Sequence, residues 1–571
     1  MKRGLAFVLG VSILFFSIFL TGDLNTVEVN ASNGYPVHNL DTGLNYTTIQ
    51  AAINANETLN GHIIFVEEGV YYEHVILNKS LSLMGENRNT TIIDGNGTGT
   101  VVKVEANHAA LMIFEIVNGN NGVVLENVDN CSVDRLNVVE NIEFGIFLNN
   151  STSCAIQYAH ITNNSHGILL NSSNANIVTK NTITQHWNGI ADLSPCSNNK
   201  ISENNITNNN SYGIYLTGGE NNTIFRNNVA DNFGGVFLHE LINSSISEND
   251  ITDNMFHGLA FEESSNLLLE SNNMAMNGYN FGVAGGSLSH FVHSIDSSNI
   301  VDGKPIYYWI NYQNLVVPSD AGYIAIVNST NITIEGLNLK NNGHGVMLAY
   351  TNHSRITDNS IRSNRFGVTL RSCFNNTIKR NTISDNFLGL LASNSFCCVI
   401  SQNNIANNEY GAELSLFSNS TVSENNITDN QMFGLGLDIS CSYNVINGNN
   451  IGNNFIGVLI QLSSSNRLYH NHFLNNTQQV KNLHSDDANI WDDGSEGNYW
   501  SDYLERYSNA TEINDSGIWN LPYVIDENNQ DNYPIIPEFP SPIILPLFMI
   551  ATLLASVFYR RRKLVKSTSP R

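Results

Sequence analysis

The chain has 571 residues and a formal charge of -25, and only 13% of it is charged. Residues 32–541 hold 18 basic against 49 acidic side chains, a balance that disfavours nucleic acid and other polyanions as partners. Seven cysteines with no Cys-x-x-Cys pair do not make a disulfide scaffold in a chain this long.

Lys2 and Arg3 precede an apolar run from Leu5 to Leu20, and Val29-Asn30-Ala31 supplies small residues for cleavage. Residues 1–31 therefore read as a secretory signal peptide. Residues 32–130 read as an N-terminal cap and the first coils of a repeat. Within them Ile49-Gln50-Ala51-Ala52-Ile53 is a short amphipathic helix placed to cover the open end of a stack. Strands are expected at Ile63 to Val66, Leu81 to Met84, Thr91 to Ile93 and Val101 to Val104.

Residues 131–284 and 331–484 are two blocks of one repeat. Fourteen aliphatic or aromatic positions, from Val138, Ile161 and Ile183 to Ile451 and Phe473, recur every 22 to 24 residues within each block. In thirteen of them an Asn stands three residues later, including Asn164, Asn209, Asn254, Asn342, Asn386 and Asn430, and only His186 breaks the run. Eleven also have Asn two residues before the aliphatic. A period of this size, in short alternating runs separated by Asn, Ser and Gly, predicts an all-β solenoid. Stacked coils place like on like about 4.8 Å apart, so the asparagines form amide ladders and roughly eighteen coils make a rod of order 80 to 90 Å.

Cys131 and Cys154 each lie seven residues before a column aliphatic and stack in neighbouring coils, either as a disulfide or as small buried side chains. Sequons such as Asn171 and Asn243 fall in turns and are open to glycosylation, whereas Asn209 belongs to the ladder.

Residues 285–330 interrupt the period, with Met274 and Leu339 65 residues apart. The interval holds Tyr307, Tyr308, Trp309 and Tyr312, which suit sugar stacking or cover an irregular coil. Residues 485–536 read as a C-terminal cap. Asp486-Asp487 and Asp492-Asp493 offer at most a weak calcium site, and no Cys/His/Met grouping has metal-ligand spacing. Residues 537–571 hold Pro537-Glu538-Phe539, an apolar span from Ile543 to Tyr559, and the basic tail Arg560-Arg561-Arg562-Lys563. That order anchors the body outside the membrane.

Several of these segments resemble a known family. Ile49 to Ile53, Phe65-Val66 to Tyr71-Tyr72-Glu73, Gly85-Glu86 and Thr91-Ile92-Ile93-Asp94-Gly95 resemble the opening of NosD-like right-handed parallel β-helix proteins of the pectin-lyase type. Asp302-Gly303-Lys304-Pro305-Ile306-Tyr307-Tyr308, Gly497 to Tyr503 and Pro522 to Asp526 are similar to further elements of that group. The resemblance implies a right-handed parallel β-helix of about eighteen coils with a helical N-terminal cap and a C-terminal anchor segment. One fold hosts lyases, hydrolases, epimerases and plain binders, so it implies less about function. Pro537-Glu538-Phe539 with its span and tail resembles the PEF-CTERM sorting signal of archaeal surface proteins. That resemblance implies cleavage by a sorting protease and replacement of the span by lipid, against a simple retained membrane span.

Catalysis by such a scaffold needs carboxylates on neighbouring coils of one face. One coil breaks two columns at once: His186 replaces a ladder Asn, and Asp192 stands where other coils have Leu148, Leu170, Leu216 and Leu238. With Trp187 adjacent this outlines an acid/base pair beside a stacking face. A one-residue bulge that turns Asp192 outward and returns Leu193 to the core is the favoured reading. Gly343-His344-Gly345 superficially matches a polygalacturonase signature, but Phe144, Tyr212 and Phe366 occupy the same position in other coils, so His344 reads as turn packing. The sequence therefore points to a secreted, surface-anchored protein of adhesion, envelope structure or glycan binding, without catalysis. The alternatives are a polysaccharide lyase, hydrolase or epimerase, and an accessory protein in copper delivery.

Overall fold

One coil shows how the chain is wound. Ala155–Gln157, His160–Thr162 and His166–Asn171 are three strands joined by single tight corners, and each pairs in parallel with its counterpart one coil on. Their inward side chains Ile156, Ile161, Ile168 and Leu170 are fully buried. The corners close because a residue at each takes the left-handed conformation, as at Tyr158, Asn163 and Ser172 with φ of 54, 55 and 48°. Asn and Asp tolerate that conformation better than other non-glycine residues. Many Asn-Asn pairs in the sequence thus do two jobs. Asn208 makes the corner at φ 56°, and Asn209 enters the ladder.

The computed structural model describes residues 34–484 and 488–536, an all-β parallel solenoid of about 19 turns with very few helices. The expected signal peptide, Asp486, Asp487, the Pro537-Glu538-Phe539 tripeptide and the apolar span lie outside those residues. No helix among the described residues is long and apolar enough to cross a membrane.

The first turn is preceded by two antiparallel strands, Val37–Asn39 and Leu44–Tyr46, and by helix Ile49–Asn54. Thr48 Oγ1 accepts the Ala51 N–H at the helix start, and the Glu73 carboxylate accepts those of Ile49 and Gln50, each at 2.9 Å. These bonds satisfy N–H groups that a helix start leaves without partners. Ile49, Ala52 and Ile53 point into the core.

The stack is divided by the insert into two parts with separate hydrophobic cores. The chain forms two solenoids, and the break is the insert. The first ends at Tyr279–Ala284 and Ile300–Val301. Asp302 and Gly303, at φ 47° and 76°, then turn the chain back in a two-residue hairpin, so that Val301 pairs antiparallel with Lys304. Lys304–Ile310 pairs in parallel with Tyr323–Val327, and that strand with His344–Ala349 and the long strands that follow. Stacking continues in one direction while strand direction is reversed. If the winding keeps its hand, as the strong preference for right-handed crossovers requires, the interior must move to the opposite side of the sheet.

Burial follows that rule residue by residue. Tyr323, Ala325 and Val327 point into the first core, whereas Ile324 and Ile326 point into the second. In the next strand Met347 and Ala349 belong to the first core and Val346 and Leu348 to the second. The far end of the second core is covered by the closing segment. Trp500 stacks between Phe473 and Tyr523 at 4.2 and 3.9 Å, with its Nε1 donating to buried Asp531 at 2.8 Å.

Candidate functional site

The amide ladder sets the background against which exceptions stand out. Asn386 Oδ1 accepts the Asn364 N–H at 2.9 Å, while its Nδ2 donates to Ile361 O and to Asn408 Oδ1 at 3.2 and 3.0 Å. The same ladder runs through Asn164, Asn209, Asn254 and Asn430. Asn342, at the start of the second stack, gives its N–H to Asn364 Oδ1, but its own Oδ1 is buried without a partner. His186 takes up this work rather than leaving the column. Its Nδ1 accepts the Asn164 N–H at 3.1 Å, its Nε2 donates to Ile161 O at 3.1 Å, and its own N–H reaches Asn209 Oδ1. Burial lowers its pKa, which favours the neutral ring that this bonding needs.

Asp192 corrects the bulge reading. It stays in register opposite Leu170 and is 5% exposed, while Leu193 is 61% exposed. Its Oδ1 accepts both the N–H and the hydroxyl of Thr217, at 2.7 and 2.9 Å, and those bonds hold it inward. Its Oδ2 is buried without a partner, and burial pushes the carboxyl pKa up to about 7. His186 and Asp192 share no hydrogen bond, each being committed to backbone of its own region. Trp187 lies in the turn beside them, 57% exposed.

The insert aromatics divide by strand alternation. Tyr308 points into the first core with its hydroxyl on Phe291 O at 2.7 Å, so it is withdrawn from any surface. Tyr307 and Trp309 lie on the other side, half-buried over the beginning of the second core. Their ring centroids are 6.0 Å apart, Tyr312 follows at 5.4 Å from Trp309, and Tyr307 donates its hydroxyl to Asp320 at 2.8 Å. The three form a continuous aromatic row with an acidic neighbour.

The junction between the solenoids was not legible from the repeat. His344 is buried there, with one ring nitrogen on Thr369 Oγ1 and the other on Val283 O of the first solenoid. Arg365 reaches across to within 3.5 Å of His257 Nε2 and lies over Phe256 and Phe366. Burial and then Arg365 push His257 down to about 4. In the C-terminal segment Asp492 and Asp493 accept backbone N–H groups of Gly494, Ser495 and Glu496, which commits one oxygen of each to a turn.

The model of the periplasmic copper-binding protein (NosD) family matches residues 86–314 and 297–505. The chain belongs to that family. A cell surface glycoprotein of Methanothermus fervidus is 35% identical over 106 residues, which is 18% of this chain and 17% of that protein's length. Among solved structures, a mutant of the DFA-IIIase from Arthrobacter chlorophenolicus, in complex with DFA-III, is 13% identical over 59% of this chain and 76% of its own, at a TM-score of 0.30. An alginate lyase of a Paenibacillus species is 11% identical over 42% of this chain and 94% of its own, at 0.28.

The copper in the NosD family's description can be tested against the donors present. Six of the seven cysteines are buried, and Cys131, Cys154, Cys373 and Cys441 donate their thiols to backbone carbonyls. Among the described residues, the group of three His, Cys, Asp or Glu ligand atoms within 4.8 Å of one another is His239, Glu240 and Glu263, on the surface. One imidazole and two exposed carboxylates leave a metal largely water-bound and offer copper(I) no soft donor. The set does not fit copper.

Proposed function

We propose that this NosD-family solenoid is a surface protein that binds neutral glycans of the envelope or of a neighbouring cell, in adhesion or envelope structure, without catalysis. The observation that carries the reading is the row Tyr307, Trp309 and Tyr312 at the start of the second solenoid. Aromatic faces stack on the C–H faces of sugar rings, and the acidic body disfavours anionic polymers. The cell surface glycoprotein relative and the periplasmic family fit an extracellular setting. In this reading the helix Ile49–Asn54 closes the N-terminal end of the stack. The PEF-CTERM-like segment brings the chain to a sorting protease, which leaves the body anchored at the membrane. Mass spectrometry of the native envelope tests that part: a mature protein that retains Ser567 to Arg571 rules processing out.

The binding reading is tested on a panel of neutral and anionic oligosaccharides, scored for affinity and for new reducing or unsaturated ends. Tyr312, 45% exposed, is the least structural of the three rings. Tyr312→Ala should weaken neutral-glycan binding about tenfold while leaving the melting temperature unchanged. Turnover of any polymer would sink the non-catalytic reading.

A further inference from the structure

The long-strand face of the second solenoid carries an outward column that runs Leu391, Glu413, Gly436 and Leu459. Two residues further along each strand, a second column runs Arg371, Ser393, Ser415, Asp438 and Gln461. Glycine at 436 removes a side chain from the middle of this surface, and the Phe433 ring lies so close that a Cβ there would meet it at 3.0 Å. The gap is a groove of about 170 Å³, walled by Phe433 and Leu459 and rimmed by Glu413, Asp438 and Gln461.

Glu413 registers opposite Gly436, so Asp438 is its diagonal neighbour one coil on. Such neighbours stand roughly 7–8 Å apart. Neither carboxylate takes part in an ion pair among the described residues. Other acids of the solenoid do have a cation beside them, as Asp358 has Arg380 and Glu105 and Glu126 share Lys103. Two acids left without a cation on either side of an apolar gap call for a ligand that donates hydrogen bonds and brings an apolar face.

We propose that this groove is a second glycan subsite, which takes one neutral sugar ring of a polymer. Vicinal hydroxyls donate to the Glu413 and Asp438 carboxylates, Gln461 supplies an amide to a third, and the ring's C–H face lies against Phe433 and Leu459. The two negative charges exclude uronic acids and sulfated sugars. A divalent ion is the competing occupant. It would want further oxygen ligands where this groove offers Phe433 and Leu459. Burial and then the Asp438 charge raise the Glu413 pKa. The proposal rests on the glycan-binding reading above and adds a site to it.

The repeat itself supplies the variants. Glu413→Leu restores the residue found at 391 and 459, and Asp438→Ser restores that found at 393 and 415, so both keep the coil's own pattern. The full chain is titrated with neutral oligomers of glucose, mannose and galactose by saturation-transfer NMR and calorimetry, with calcium titrated separately. In the Tyr312→Ala background, binding of a neutral oligomer should persist, and it should fall at least tenfold on adding Glu413→Leu and Asp438→Ser with no loss of melting temperature. Undiminished binding in that triple variant, or calcium binding at the pair with no saccharide bound, overturns the proposal. If Tyr312→Ala alone abolishes all binding, the insert site stands and the groove fails. If no neutral oligomer binds the unaltered chain, both readings fail.

Discussion

Tyr323 and Ile324 are adjacent in sequence, both fully buried, and belong to different hydrophobic cores. A strand normally has one buried face and one that meets solvent or a second layer. Here the second layer is another solenoid of the same chain, wound on the far side of the same sheet.

That division gives the two residues separable effects. Ile324→Ala should cost roughly 2–5 kcal/mol and Tyr323→Ala a similar amount, each through a cavity in its own core. Hydrogen exchange resolves them. Ile324→Ala should loosen strands such as Ile356-bearing Arg355–Thr357, and Tyr323→Ala those around Phe281 in Tyr279–Ala284. Equal loosening of both regions by both substitutions would mean that the cores do not act as separate units.

The repeat made most of this architecture legible, because a 22-residue period in Ile and Asn columns admits few other folds. The reversal was not legible. Its signal is Asp302-Gly303, a hairpin pair between Ile300–Val301 and Lys304–Ile310, and a two-residue turn says nothing about which side of a sheet the following side chains will face. Winding hand decides that, and hand is a property of the whole coil. The inward position of Asp192 was not legible for a related reason. Its column position was readable, but the Thr217 N–H and hydroxyl that hold it inside lie 25 residues on. Glu413 and Asp438 do not stand out in the sequence, because each sits in an outward column where acids are unremarkable. Only the register, with Gly436 between, makes them a pair.

The ladder predicts a contrast between two kinds of asparagine. Asn386→Leu removes an acceptor for the Asn364 N–H and donors to Ile361 O and Asn408 Oδ1, all of them buried, and should cost roughly 1–3 kcal/mol. Asn210 is exposed, outside the ladder and outside the left-handed corners, so Asn210→Leu should be near neutral. A corner asparagine would not serve as the comparison, because a φ such as the 51° of Asn419 would itself strain a leucine. Equal shifts in melting temperature for Asn386→Leu and Asn210→Leu would remove the argument.

Gly497 has no conformational need to be glycine, its φ being ordinary, yet a Cβ there would fall on the Asp531 carboxylate. That carboxylate accepts the Trp500 indole N–H and the Asn498 N–H. Gly497→Ala should therefore displace Asp531, unseat Trp500 from between Phe473 and Tyr523, and destabilise the second solenoid by roughly 1–3 kcal/mol. Near-ultraviolet circular dichroism and denaturant titration report both changes. An unaltered tryptophan signal with unchanged stability would show that the closing segment tolerates the methyl group.

Asp192 makes stability depend on pH in a stated direction. Its pKa rises from 3.8 in the unfolded chain to about 7 in the folded one, because burial opposes the charge. Below about pH 4 the carboxyl is protonated in both states and contributes nothing. As pH rises from there toward 7, the unfolded chain ionises first, so folding becomes progressively less favourable, and the full cost is present above pH 7. Asn keeps an acceptor for Thr217 and carries no charge. Asp192→Asn should therefore match the unaltered protein near pH 4 and exceed it by roughly 4 kcal/mol at pH 8, the free energy that corresponds to a pKa raised from 3.8 to about 7. Asp531, also raised by burial, to about 6, acts in the same direction but is present in both proteins and cancels in the difference. Denaturant titrations at pH 4.5 and 8 decide the matter. A difference between variant and parent that stays constant across that range would mean Asp192 is not charged by folding-linked titration, and that its inward position costs nothing electrostatic.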